Sequence, residues 1–340
     1  MISRDRVIRA LNHQSIDRAP RDLWLLPGME AGRTDDVAEM NARFPSDVLH
    51  LETKWPPGKR SKGDCQRSGP CTDAWGCTWR LGDHGGGAGL IESPLAGGTD
   101  LATYEPPAEL LDPARFAKVN PVCGGTGRFA LAGSEVRPLD RLRQLRGAET
   151  AVAELCDGNH ELHALLDKLH GFFCEEVELW AKTQVDGVIL GDDLGWVAAS
   201  QGHLKIWQSL FKPLFEEYCA LVHRHDKFVF FLSQGTSGEA LDDLVEIGVD
   251  AVHAQWPHEE FQRHAARHRG RVTFWGGVER RKVESPSPCG DIREAVFRVR
   301  KALDFGAGGV ISQVSWGSHI PLQSIATFFE QWLVPLPVTV

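Results

Sequence analysis

The chain has no excess of basic residues, no long apolar run and few cysteines, and each shortage removes a class of function. Its formal net charge is −9. Nucleic acid and anionic membrane surfaces both call for a basic patch, so neither is expected as a partner. No apolar stretch approaches the roughly 18 to 20 residues of a membrane span, and the opening MISRDRVIRALNH is too charged for a secretory signal. A cytoplasmic protein is the expectation. Eight cysteines among 340 residues are too sparse for a disulfide scaffold and predict reduced thiols. Cys65, Cys71 and Cys77 fall six apart without the close CxxC pairs that hold structural zinc, and read as ordinary thiols. Cys123, Cys156, Cys174, Cys219 and Cys289 are scattered and read as small apolar fillers. The chain contains no nucleophile elbow, P-loop or HExxH.

What the chain does have is 42% hydrophobic residues, distributed as short β-forming runs between amphipathic helical stretches. RDLWLLP, DVLHL, RFALAG, VDGVILGDD, KFVFFLSQG, VDAVHAQWP, RVTFWGGVE and GGVISQVSWG make eight predicted strands. Helical periodicity marks SRDRVIRALNH before the first, and HLKIWQSLFKPLFEEYCALVHRHD, SGEALDDLVEIG, EEFQRHAARHRG and DIREAVFRVRKALDFGA between the later ones. Apolar strands alternating with helices predict a parallel sheet covered on its outer face, and eight units favour a closed (β/α)8 TIM barrel of the α/β class in one domain, residues 1–340. Residues 53–100, with DAWGCTWRLGDHGGGAGLIESPLAGG, predict a flap or lid inserted after the second strand. GGGAG lacks the strand–turn–helix setting of a dinucleotide loop.

Barrel active sites form at the carboxyl ends of the strands, so the candidates are the polar residues where each apolar run stops. This selects Trp24 and Arg33 after the first strand, Asp192 and Asp193 after the fourth, and Ser233 and Gln234 after the fifth. It adds His253 and Gln255 from the sixth, Trp275 and Glu279 from the seventh, and Gln313, Ser315 and His319 from the eighth. Asp192 and Asp193 are adjacent, so an extended backbone sends them to opposite sides: one faces the pocket and the other caps the next element. Asp193, His253 and Asp192 are the candidates for acid–base work, with His253 alternatively a histidine satisfied inside the barrel. His264 and His268 have ligand spacing on a helix but arginine-rich surroundings, and read as a solvated face. So do His160, His163, His223 and His225. Trp24, Trp75, Trp196, Trp256, Trp275 and Trp316 fall near strand ends or the flap, as ligand-stacking walls or as core filling.

DRVIRALNHQSIDRAPRDLW, DAWGCTW, GVILGDDLG, LDDLVEIGVDAV, VTFWGGVER and GGVISQVSWG, in that order, resemble the uroporphyrinogen decarboxylase superfamily, nearest its cobamide-dependent methyltransferase-like branch. The resemblance covers about residues 3–332. It implies a barrel whose funnel holds a tetrapyrrole, or a methyl donor with a corrinoid protein as partner, and it implies a homodimer by analogy with decarboxylase relatives. Decarboxylases carry an RQAGR pattern whose arginines hold substrate carboxylates; the matching MEAGR keeps Arg33 but has Met29 in place of the first arginine. A substrate with many carboxylates needs several paired cations, so this argues against tetrapyrrole decarboxylation.

Methyltransferase relatives often bind zinc through His-x-Cys or His-x-Asp after strand five, where this chain has Leu232 and Gln234. Around strand eight they often have QCEWG, where this chain has Val314 and Ser315. The resemblance with these departures implies an enzyme acting on a methylated small molecule without the usual zinc. Asp193, His253 and Glu279 form the alternative metal set. A carboxy-lyase acting on a tetrapyrrole or other cyclic acid, and a non-catalytic ligand-binding relative, are the other readings.

Overall fold

The computed structural model describes the whole chain except residues 27–28, 54–56, 65–68, 82–87, 98–100, 234, 236–237, 285–287, 304–306 and 336–340. Strands form at every expected place. In chain order they are β1 (Arg21–Leu25), β2 (Val48–Leu51), β3 (Pro70–Thr72), β4 (Thr78–Leu81), β5 (Ala88–Glu92), β6 (Phe129–Gly133), β7 (Gly187–Asp192), β8 (Phe228–Ser233), β9 (Ala251–Ala254), β10 (Thr273–Gly276) and β11 (Val310–Trp316). β3–β4–β5 make a small antiparallel sheet inserted after β2. The other eight run parallel in the order β1-β11-β10-β9-β8-β7-β6-β2, a TIM-barrel-like cylinder.

The wall is completed between β1 and β2 by a seam rather than a ladder. Asp47 N donates to Arg21 O at 2.8 Å, and Arg21 N returns a bond to Asp47 Oδ2 at 2.8 Å. The fully buried Asp47 carboxylate is held in turn by Arg6 and Arg18, each at 2.6 Å. One strand position further on, the side chains of Asp22 and His50 meet at 2.8 Å.

Alternation along the strands builds two cores. Val48, Leu131, Ile189, Phe230, Ala251, Trp275 and Ile311 point inward and pack into an apolar plug, closed from below by Val7 and Leu11 of the helix Ser3–Leu11. Their neighbours, among them Val188, Leu190, Val229, Phe231, Val252 and Phe274, point outward into the larger core beneath the helices. The β3–β5 insertion is fastened by Trp75, which is 3% exposed. Its indole meets the Phe172 ring edge-on at 4.8 Å and lies beneath the Arg141 guanidinium at 4.2 Å. Cys71 is disulfide-bonded, against the expectation of reduced thiols throughout. Cys77, Cys123, Cys156, Cys174 and Cys219 are free. No described helix is long and apolar enough to cross a membrane.

Candidate active site

Above the apolar plug the inward positions turn polar. Two residues beyond Val48 stands His50, two beyond Ala251 stands His253, and two beyond Ile311 stands Gln313, while β1 contributes Asp22 and Trp24. Asp22 has no exposed surface. A carboxylate placed there must be compensated by donors, and it is: Oδ2 accepts from Trp24 Nε1 at 2.9 Å and Trp275 Nε1 at 2.7 Å, and Oδ1 lies 2.8 Å from His50 Nε2. Trp24 Nε1 is also 2.9 Å from His50 Nε2, so it donates to Asp22 alone whenever His50 carries its proton on Nε2.

The two histidines are driven in opposite directions. Burial opposes charge on His50, but the adjacent Asp22 carboxylate outweighs it and raises the pKa above its ordinary value. Burial pushes His253 down to about 4, with the Gln313 hydrogen bond and the Asp22 charge opposing only in part. The His253 ring stacks on Trp24 at 5.4 Å and 3°, and meets Trp275 edge-on at 5.6 Å. Its Nε2 is buried without a hydrogen-bond partner. An imidazole whose pKa is raised and one whose pKa is lowered, within one aromatic cluster, form a pair with separated acid and base character.

Over this cluster opens a cavity of about 520 Å³, lined among others by Trp24, His50, Glu52, Ser134, Arg137 and Leu232. The Arg137 side chain lines it together with Glu52 and Glu135, and its charge also acts on Asp140.

The structure brings Trp24, His253, Gln255, Trp275 and Gln313 together. Gln255 Nε2 donates to Gln313 Oε1 at 3.1 Å, and Gln313 Nε2 donates to Ser315 Oγ at 3.2 Å. Other candidates lie elsewhere. Asp192 has the outward parity of Val188 and Leu190, and its carboxylate accepts from Leu139 N at 2.8 Å and Asp140 N at 3.0 Å, capping the helix Pro138–Arg146. Burial and then the neighbouring Asp140 push its pKa up to about 8. Asp193 caps the helix Leu194–Ala198 through Trp196 N at 3.1 Å and pairs with Arg143 at 2.8 Å. Ser233 also points outward, accepting from Leu194 N at 3.0 Å. Gly235, just beyond, has φ +86°, and a Cβ there would stand 2.7 Å from Gly195 Cα, so the turn requires glycine.

Arg33 is engaged by Asp36 at 2.7 Å and Ile320 O at 2.5 Å, and lies over the Trp316 ring. Glu279 lines a separate cleft of about 100 Å³. His319 is exposed and 3.3 Å from Glu284. Trp75, Trp196, Trp256 and Trp316 are buried packing residues, and Gln234 lies outside the described residues. His264 and His268 are 4% and 1% exposed, which corrects their reading as a solvated face: their helix turns them inward, against Trp256 and Asp242 respectively.

Sequence reasoning passed over Asp22, His50 and Arg137. The rule of inspecting where apolar runs stop misses Asp22 and His50 because both sit within their strands. Parity would have found them, since each is two residues from another inward position.

Residues 72–330 match the uroporphyrinogen decarboxylase (URO-D) family. No curated protein matches the chain by sequence. Among solved structures it is similar to a methyltransferase from Methanosarcina mazei, with 14% identity, 98% of each chain covered and a TM-score of 0.72. It is also similar to a GH5 xyloglucan-specific endo-β-1,4-glucanase from a metagenomic library, with 10% identity, 97% and 98% coverage and a TM-score of 0.48. With more than half its length matched to one family, this chain belongs to the uroporphyrinogen decarboxylase (URO-D) family.

Proposed function

We propose that the protein is a methyltransferase-like member of this family, acting on a methylated small molecule held in the barrel mouth, with a corrinoid protein docking over that mouth. The observation that carries the reading is the Asp22–His50 pair, biased toward its protonated state at the base of a cavity of about 520 Å³. The methyltransferase likeness across nearly the full chain supports it. A partner's corrinoid would supply the acceptor for the methyl group. The chain's own residues do the rest: Arg137 receives a polar or anionic end of the molecule, and Trp24 walls its methylated end. As the bond between methyl carbon and heteroatom breaks, the electron pair stays on the heteroatom and protonated His50 delivers a proton to it from Nδ1, while Nε2 stays bonded to Asp22, which holds the imidazole in place. Neutral His253 backs the Trp24 wall from the side of the barrel interior.

The family's zinc does not fit the donors available here. Leu232 and Val314 stand at two positions used by zinc-binding relatives, and neither side chain has a lone pair to offer. No step is therefore routed through a metal. The decarboxylase reading finds less support, because Arg33 is already engaged by Asp36 and two backbone carbonyls.

The test is methyl transfer to free cob(I)alamin from a panel of O-, N- and S-methylated small acids, followed by absorbance. Turnover should fall by about 10²-fold or more in His50→Asn. Coproporphyrinogen formation without methyl transfer would favour the carboxy-lyase alternative. Saturable binding of a panel member with neither reaction would favour a ligand-binding relative.

A further inference from the structure

Away from the barrel mouth, on the outer helical layer, three side chains of metal-ligating type converge. His170 and Cys174 are four residues apart on the helix His160–Ala181, so they share one face. The helix Lys212–His223 packs against it and contributes Glu217 and Tyr218. His170 Nε2 is 3.0 Å from Glu217 Oε2, and Cys174 Sγ is 3.7 Å from each of the two His170 ring nitrogens. One ligand atom from each residue falls within 4.8 Å of the others, and this is the one such group of three among the described residues.

We propose that His170, Cys174 and Glu217 bind a divalent transition metal, zinc by the chemistry of the donors, that ties the two helices together. Zinc bonds of about 2.1 Å to imidazole and 2.3 Å to thiolate at a tetrahedral angle put nitrogen and sulfur about 3.6 Å apart, matching the spacing here. The nitrogen-to-carboxylate distance is shorter than a shared ion needs by a few tenths of an ångström. The Glu217 side chain is 57% exposed and has room to give. The other imidazole nitrogen, Nδ1, is 2.9 Å from Tyr218 Oη. That contact fixes the ring and leaves Nε2 for the ion, the outer support that metal-bound histidines ordinarily have. Three protein ligands leave a fourth position for water. On binding, Cys174 loses its thiol proton to solvent, and the neutral His170 ring changes tautomer by exchange with solvent: the Nε2 proton shared with Glu217 is given up, Nδ1 takes one and donates it to Tyr218 Oη, and Nε2 and Glu217 both bond the ion. No oxidation or reduction is involved.

The experiment uses full-length protein, stripped with chelator and titrated first with Co²⁺ and then with Zn²⁺. One Co²⁺ per chain should bind with a thiolate-to-cobalt charge-transfer band, and one Zn²⁺ should displace it. Cys174→Ser should abolish the band, and Tyr218→Phe should weaken binding by about ten- to a hundred-fold. Should Cys174→Ser fail to fold, Glu217→Gln decides, since its carboxylate is exposed and weakened binding is expected there too. A band that persists in Cys174→Ser, affinity unchanged in Glu217→Gln, or no Co²⁺ uptake by the wild-type protein would overturn the assignment.

Discussion

Trp24 and His253 lie face to face, their ring planes within 3° and their centroids 5.4 Å apart. The stack carries an imidazole that resists protonation, and its cost is readable in pH. The folded pKa of about 4 is below the ordinary 6.5, so the stability of the neutral form is complete above pH 6.5 and is lost as pH falls toward 4. The loss at pH 5 is about 2 kcal/mol. Urea midpoints at pH 7 and pH 5 should therefore differ more in the wild type than in His253→Gln. Equal differences would count against a buried neutral His253.

His50 behaves oppositely. Its folded pKa is raised, so the stability from the His50–Asp22 pair is present below the unfolded value near 6.5 and is lost as pH rises through the folded value. Histidine NMR titration should place His50 above 6.5 in the wild type. In Asp22→Asn burial is opposed only by the more weakly acting Glu52 charge and the midpoint should drop; an unmoved midpoint would show that Asp22 is not its cause.

Asp192 is expected to reveal itself through stability. Asp192→Ala strands the amides of Leu139 and Asp140 and should cost about 2 kcal/mol. Asp192→Asn keeps an acceptor, has no charge to bury, and should cost less than half as much by denaturant titration.

Asp193 separates capping from chemistry. Asp193→Asn keeps the acceptor for Trp196 N and loses the partly exposed pair with Arg143, at a cost of at most about 1 kcal/mol. In the methyl-transfer assay its turnover should fall less than that of His50→Asn. The reverse order would move the proton to Asp193.

The barrel was legible in the sequence because continuous apolar runs and amphipathic helices report burial directly, and all eight strands stand where those runs predict. The site was half legible. Strand ends located His253, Gln255 and Gln313, but the rule of stopping points ignores which way a side chain faces. It therefore selected Asp192 and Ser233, which point into the helices, and passed over Asp22 and His50, which point inward. The distant contacts of Arg33 with Ile320 O and of Asp193 with Arg143 are tertiary facts, and no local pattern encodes them.

The seam between β1 and β2 has a consequence for how this barrel can change. Most of its wall is sewn with backbone, which tolerates exchange of side chains. At this edge a stitch is made by Asp22 and His50 themselves. A ligand that takes His50 away from Asp22 removes one stitch of this edge, and a lineage that trades either residue for new chemistry leaves its first and second strands joined there by Asp47 and Arg21.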